Sequence, residues 1–238
     1  MSGGGGKRGF LLALCLVGTL LFSALGVWQV ERRSWKLQLI ERVNARINAV
    51  PAPPPPQGEW ASLRPEEIEY RRVRVRGTFL HDRETLVDAL TERGPGRWVV
   101  TPLQTGEGIL LVNRGFVPPE RRAPATRAAG LVEGPVTVTG LLRLSEPNGR
   151  FLRPNQPAQD RWFSRDVAAI AARRGVTGVA PFFIDADAAP NPGGLPHGGL
   201  TVVQFRNTHL IYALTWFGLA SLCIAGTVLL LRSPRSAA

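Results

Sequence analysis

Residues 208–231, THLIYALTWFGLASLCIAGTVLLL, constrain this chain more than any other stretch. About 24 residues pass without a formal charge, His209 aside, and about 20 mostly apolar residues suffice for a helix to cross a bilayer. His209, Tyr212 and Trp216 recur at i, i+3 and i+7, the spacing of one helix face. A second apolar run covers residues 10–30. It has two readings. One is a cleaved signal peptide, with Lys7-Arg8 before it and Ala24-Leu25-Gly26 as a small-x-small site. The other is a retained anchor, favoured because a signal core is usually only about 7–15 residues long. Gly18, Phe22 and Gly26 recur every fourth residue, a stripe that allows another helix close.

The remaining segments arrange themselves around these two spans. Residues 1–9 are a Gly-rich leader expected to be disordered; residues 3–6 are no phosphate loop, since no strand precedes them and no GK[ST] follows. Residues 31–57 form an amphipathic helical stalk and then a Pro-rich spacer. Trp28, Trp35, Leu39, Val43 and Ile47 fall near one helical face, and VPAPPPP at 50–56 prefers extended polyproline II. Residues 58–207 read as a β-rich domain. Alternation in YRRVRVRGTFL predicts a half-buried strand at 70–80, with further strands at 84–90, 97–104, 109–117, 136–144, 182–185 and 200–205. Turns are predicted at Gly94-Pro95-Gly96 and Gly106-Glu107-Gly108, and loop at 145–159. One helix is predicted at 162–174, with Ser164 as cap and Arg173-Arg174-Gly175 at its end. The expected fold is thus a membrane protein of α+β class. Two transmembrane helices, 10–30 and 208–231, flank a small antiparallel sheet or open barrel with one helix, and 232–238 is a tail.

Charge and cysteine content narrow the function. Of 238 residues, 44% are hydrophobic, and the net charge is +11. The excess is arginine scattered among strands with no nucleic-acid-binding motif, so nucleic acid is not an expected partner; exposed arginines in the strands read as a solvated face. The two cysteines, Cys15 and Cys223, lie in the apolar runs, and no CxxC occurs. The β domain therefore has neither disulfide nor thiolate metal site. His81 and His197 are far apart, have no spaced partner and read as solvated surface groups. With no Ser-His-Asp, HExxH or P-loop signature, the chain reads as a membrane-anchored binding or assembly module, not an enzyme.

His209 stands apart. An ionisable residue at the edge of a span is a functional candidate, and imidazole is an axial ligand of haem iron. Tyr212 and Trp216 would add ring surface. Arg32, Arg33, Lys36 or Arg206 would pair with propionates, because guanidinium matches carboxylate geometry. The plainer reading is a headgroup-level histidine in an aromatic belt.

Several segments resemble one family. Residues 26–36, GVWQVERRSWK, resemble the GxWQxxRRxWK entry segment of the Surfeit-locus-1 family of cytochrome c oxidase assembly factors. Glu69-Tyr70-Arg71-Arg72-Val73, Val99-Val100-Thr101-Pro102-Leu103 and Val112-Asn113-Arg114-Gly115-Phe116-Val117-Pro118 resemble its strand motifs, with Phe116 where Trp is often found. Asn207, His209, Leu210, Tyr212 and Thr215-Trp216-Phe217-Gly218 resemble its exit helix. The matches come in the right order and span almost the whole chain. The resemblance implies help with haem a insertion into, or maturation of, oxidase subunit I, with His209 as candidate iron ligand and Trp28, Gln29, Arg32, Arg33, Tyr212 and Trp216 around the haem. It implies subunit I, the haem a synthesis machinery and membrane lipids as partners. It also implies a bacterial inner membrane, both termini cytoplasmic and the main domain periplasmic. The alternative is a haem-free scaffold that holds subunit I during assembly.

Overall fold

The computed structural model describes residues 3–150, 152–203, 205 and 207–233; Arg206 and residues 234–238 of the tail lie outside them. The chain divides into two compact units, one formed by Met1–Arg42 with Gln204–Ala238 and the other by Val43–Val203.

The first unit holds a continuous helix α1 (Gly3–Ile47), whose last residues belong to the second unit, and the helix α4 (His209–Arg232). Both are long and apolar enough to cross a membrane. They pack antiparallel. Passing up α1, the partners on α4 descend from its last turn to its first residue. Arg8 donates to the Leu231 carbonyl at 3.2 Å, Cys15 faces Gly226 and Gly18 faces Cys223, Phe22 stacks on Trp216 at 5.8 Å, and Gly26 lies against the Phe217 ring. The small residues are what let the backbones approach. The opposite faces, with Phe10, Leu20, Ile211 and Leu222, are exposed and apolar, as lipid contact requires. Helix α1 begins at Gly3, which corrects the expected disordered leader. Once the apolar run is helical, each added residue gains a hydrogen bond without a new nucleation cost.

In the second unit, the Pro-rich segment lies along the first strand at Ala52, which bridges to Val73. Ala52 N donates to Arg72 O at 3.2 Å and Ala52 O accepts from Arg74 N at 2.9 Å. A short helix α2 (Pro65–Ile68) follows, then β1 (Arg72–Phe79), β2 (Thr85–Thr91), β3 (Gly94–Thr105), β4 (Gly108–Val117) and β5 (Pro135–Leu144). A small hairpin, β6 (Gly149–Arg150) and β7 (Arg153–Pro154), precedes α3 (Val167–Arg174) and β8 (Val179–Ala186). The sheet order is β1-β5-β8-β4-β3-β2, and β3 also pairs with β1 through Thr78↔Gln104 and Phe79↔Leu103. Five strands thus close into a barrel, and β2 extends from β3. Leu103, Val112, Leu142, Phe182 and Ile184 fill the interior. On the outer face, Val87, Val100, Leu111 and Phe183 pack with Trp162 and Ile170 of the α3 region. Full burial of each such side chain is worth about 1.5–3 kcal/mol.

Several expectations are corrected here. The sheet is not wholly antiparallel, because β8 runs parallel to β4. The long connection carrying β5 and α3 makes that possible. Gly94-Pro95-Gly96 opens β3 instead of forming the turn; the hairpin turns at Glu92-Arg93, where Thr91 Oγ1 accepts from Arg93 N at 3.1 Å and pairs across with Gly94. Residues 145–159 are not all loop, since β6 and β7 lie there. Helix α3 starts at Val167, not 162. Its cap is Asp166, which accepts from Ala169 N at 3.1 Å, while Ser164 Oγ donates to the Glu146 carbonyl at 2.6 Å. The expected strand at 200–205 is absent among the described residues.

Arg74 and Arg76 on β1 are exposed, as expected of a solvated face, but other arginines act as ties. Asp185 on β8 is buried and accepts from Asn113 (2.8 Å), Arg165 (2.9 Å) and Arg143 (3.1 Å), linking β4, β5 and the segment before α3. Arg165 also grips Glu146 through two bonds, at 3.1 and 2.5 Å. Burial alone would raise the Glu146 carboxyl, but the hydrogen bonds and charge of Arg165 outweigh it and hold it below the usual range.

Candidate cofactor site on the paired helices

His209 is the first residue of α4. Its preceding residue, Thr208, caps the helix without a side-chain bond. Asn207 Oδ1 instead receives the His209 backbone N–H at 3.4 Å. Helix pairing brings Gln29 of α1 to the imidazole, with Gln29 Oε1 2.8 Å from His209 Nδ1. Gln29 is 8% exposed although its neighbour Trp28 is 53% exposed. A polar amide buried on a span is costly unless bonded, and the imidazole is its partner. An amide oxygen only accepts, so in this contact Nδ1 is the donor, and the Gln29 bond does not engage Nε2. Metal-ligating histidines commonly carry an acceptor on the other ring nitrogen in the same way.

The other expected residues separate. Trp216 faces α1, and its Nε1 is buried without a partner among the described residues. Tyr212 is 52% exposed and does not share that contact. At 3.6 residues per turn, position i+7 falls within about 20° of His209 but i+3 lies about 60° round, so the single face splits. Arg32 and Arg33 follow Gln29 by three and four residues, which places them one turn along on its side of α1. Arg32 lies over the Trp35 ring at 4.1 Å. Trp28 lies off that side, and Arg206 is outside the described residues.

Sequence reasoning missed two features. His81 is no solvated group: its Nε2 contacts the Val132 carbonyl at 2.9 Å, and its Nδ1 is buried. Arg114 and Arg127 are buried, and Arg127 forms a two-pronged bond to Glu84, 3.0 Å on one side. The signal for Arg114 was present, because it shares strand parity with Leu110 and Val112. Among the described residues no cluster of His, Cys, Asp and Glu could hold a bare metal ion.

Comparison with known proteins places this arrangement. The SURF1 family model matches residues 16–221. Surfeit locus protein 1 of Homo sapiens is 39% identical over 230 residues, covering 89% of this chain and 74% of the relative. The Mus musculus protein of the same name is 42% identical over 214 residues, covering 83% and 68%. A SURF1-like protein of Monosiga brevicollis is 39% identical over 239 residues, covering 94% and 88%. The matched region takes in the whole barrel and part of each paired helix, and the chain belongs to the SURF1 family.

Proposed function

We propose that this chain is a membrane-anchored assembly factor for cytochrome c oxidase that holds haem a on His209 and passes it towards nascent subunit I. The observation that carries the reading is the 2.8 Å contact between His209 and Gln29. It leaves Nε2 as the free donor atom, which suits an axial ligand. The chemistry of the donor set fits: one imidazole, a buried indole, and two arginines one turn from Gln29 to meet propionates. When bound, haem supplies the iron that the imidazole coordinates. The protein's own work is to fix the ring tautomer, to supply cations for the acid groups and to keep the ligand atom at the end of a span. The oxidase assignment rests on the motif resemblance set out above.

From the antiparallel packing of the spans we infer that both termini lie on one side of a membrane. We assign that side to the bacterial cytoplasm and the barrel to the periplasm. The proposed partners are oxidase subunit I and the haem a synthesis machinery, with lipid against the outer helix faces.

The test is haem content after purification from cells that make haem a. The wild-type chain is expected to retain haem a, measured as the pyridine haemochrome, and His209→Ala to lose most of it. Equal haem in both would remove His209 as the ligand. Capture of subunit I from cells unable to make haem a would favour the haem-free scaffold instead.

A further inference from the structure

The mouth of the barrel carries a cation that the fold does not account for. Arg114 lies on β4 two residues after Val112 and four after Leu110, both of which belong to the core enclosed by the barrel. Alternation along a strand therefore turns Arg114 to the inner face. A bulge follows directly: between Val100↔Asn113 and Trp98↔Phe116, β4 has one residue more than β3. Gly115 takes a φ of 130° there, with the His197 carbonyl where a Cβ would sit. The bulge lets Phe116 turn outward to Trp98 while Arg114 stays inside.

Arg114 is 2% exposed. Its Nη2 donates to the Gly130 carbonyl, and its guanidinium lies over the Phe79 ring at 4.7 Å. Nε and Nη1 are buried and have no partner among the described residues. The carboxylate whose charge acts on it is Glu84, whose two oxygens both accept from Arg127. Burial lowers the Arg114 guanidinium to about 10, so it remains a cation at neutral pH. Leaving buried donors unpaired is destabilising, and native proteins keep few such groups without a reason.

Beside Arg114 is a cavity of about 350 Å³, walled by Phe79, Val112, Val136, Val138 and Ala186. Barrel mouths are common small-molecule sites, and this volume is at the lower end of their range of about 300–1,000 Å³. We propose that the cavity binds a small molecule with one carboxylate and a compact apolar body. The carboxylate meets the Arg114 guanidinium, and the body packs against the valines. The flat guanidinium fork suits a carboxylate. Asp187 also lines the cavity and disfavours a polyanion, and the volume leaves no room for a long acyl chain. This site is independent of His209.

The test uses the full chain in lipid nanodiscs and 4-(trifluoromethyl)benzoate, followed by ¹⁹F line broadening, with 4-(trifluoromethyl)benzamide as the neutral counterpart. The wild type is expected to bind the benzoate saturably, empty nanodiscs not at all, and the benzamide at least tenfold more weakly. Arg114→Met should lose benzoate binding, and Arg114→Lys should weaken it at least tenfold. Val136→Trp fills the cavity while keeping Arg114, and should also abolish binding, which keeps the proposal testable if Arg114→Met does not fold. No saturable benzoate binding by the wild type, equal binding of the amide, or unchanged binding by Val136→Trp would each overturn it.

Discussion

At Nδ1 of His209 a single hydrogen bond sets both the tautomer and the tilt of the ring. Gln29→Leu removes the acceptor while keeping an apolar side chain of similar size in the helix contact. Loss of such a supporting bond typically weakens metal binding by about 10–100-fold. Haem affinity measured by titration is expected to fall by that much in Gln29→Leu. In Gln29→Glu, which keeps an acceptor at the same reach, it should fall by less. Equal affinities in Leu, Glu and wild type would mean that Gln29 only fills space. His209 was legible in the sequence as an ionisable residue at the edge of a span, and Gln29 only through the family motif. Their contact was not, because nothing in either stretch states the register between two helices about 180 residues apart. Arg114 shows the opposite case. Its parity with Val112 was legible, but a charged side chain is ordinarily placed in solvent, and that prior prevailed over the alternation.

Among the elements, α1 and α4 depend on small residues at their contact. A Cβ built on Gly26 would lie 2.6 Å from the Phe217 ring, closer than real contacts allow. Gly26→Leu is therefore expected to separate the helices near Gln29. The readout is cross-linking between cysteines introduced at positions 29 and 209, with Cys15 and Cys223 replaced by Ala. Efficient cross-linking in the Gly26→Leu background would show that the stripe is not needed. The stripe itself was readable from the i, i+4, i+8 recurrence of Gly18, Phe22 and Gly26. Strand positions were readable for a similar reason, since β1 and β5 alternate. The parallel pairing of β8 with β4 was not, because a short apolar run such as Phe182–Ile184 carries no sign of its neighbour or direction. The start of α3 was misplaced because Ser164 and Asp166 are both good caps, and the choice between them is made by Ser164's tertiary bond to Glu146.

Across the whole molecule, the barrel unit is held by an interior apolar core and by carboxylates that are engaged by arginines. Glu146 has its folded-state carboxyl held below the ordinary value of 4.5. Its stabilising contribution is therefore complete above pH 4.5 and is lost as pH falls through the lowered value. Asp160 is lowered too, because its bonds from Trp162 and Arg174 outweigh burial, but it is mostly exposed and contributes less. Thermal unfolding of the reconstituted chain should thus show a melting temperature that declines below pH 4.5. Glu146→Gln should have a lower melting temperature at pH 7 and a shallower decline in acid. A decline of the same steepness in wild type and variant would contradict the assignment. The two helices long enough to span a membrane, the β domain between them and the family motifs were all readable at this scale. Barrel closure was not, since it rests on only two residue pairs between β1 and β3.

The most direct test of the account is the absorption spectrum of purified protein loaded with one equivalent of haem a. The wild type should give a Soret band of histidine-ligated haem. His209→Gly should lose that band and recover it on addition of free imidazole, because the cavity left by the side chain still faces Gln29. A Soret band in His209→Gly identical to that of the wild type, before any imidazole is added, would contradict the claim that His209 holds the iron.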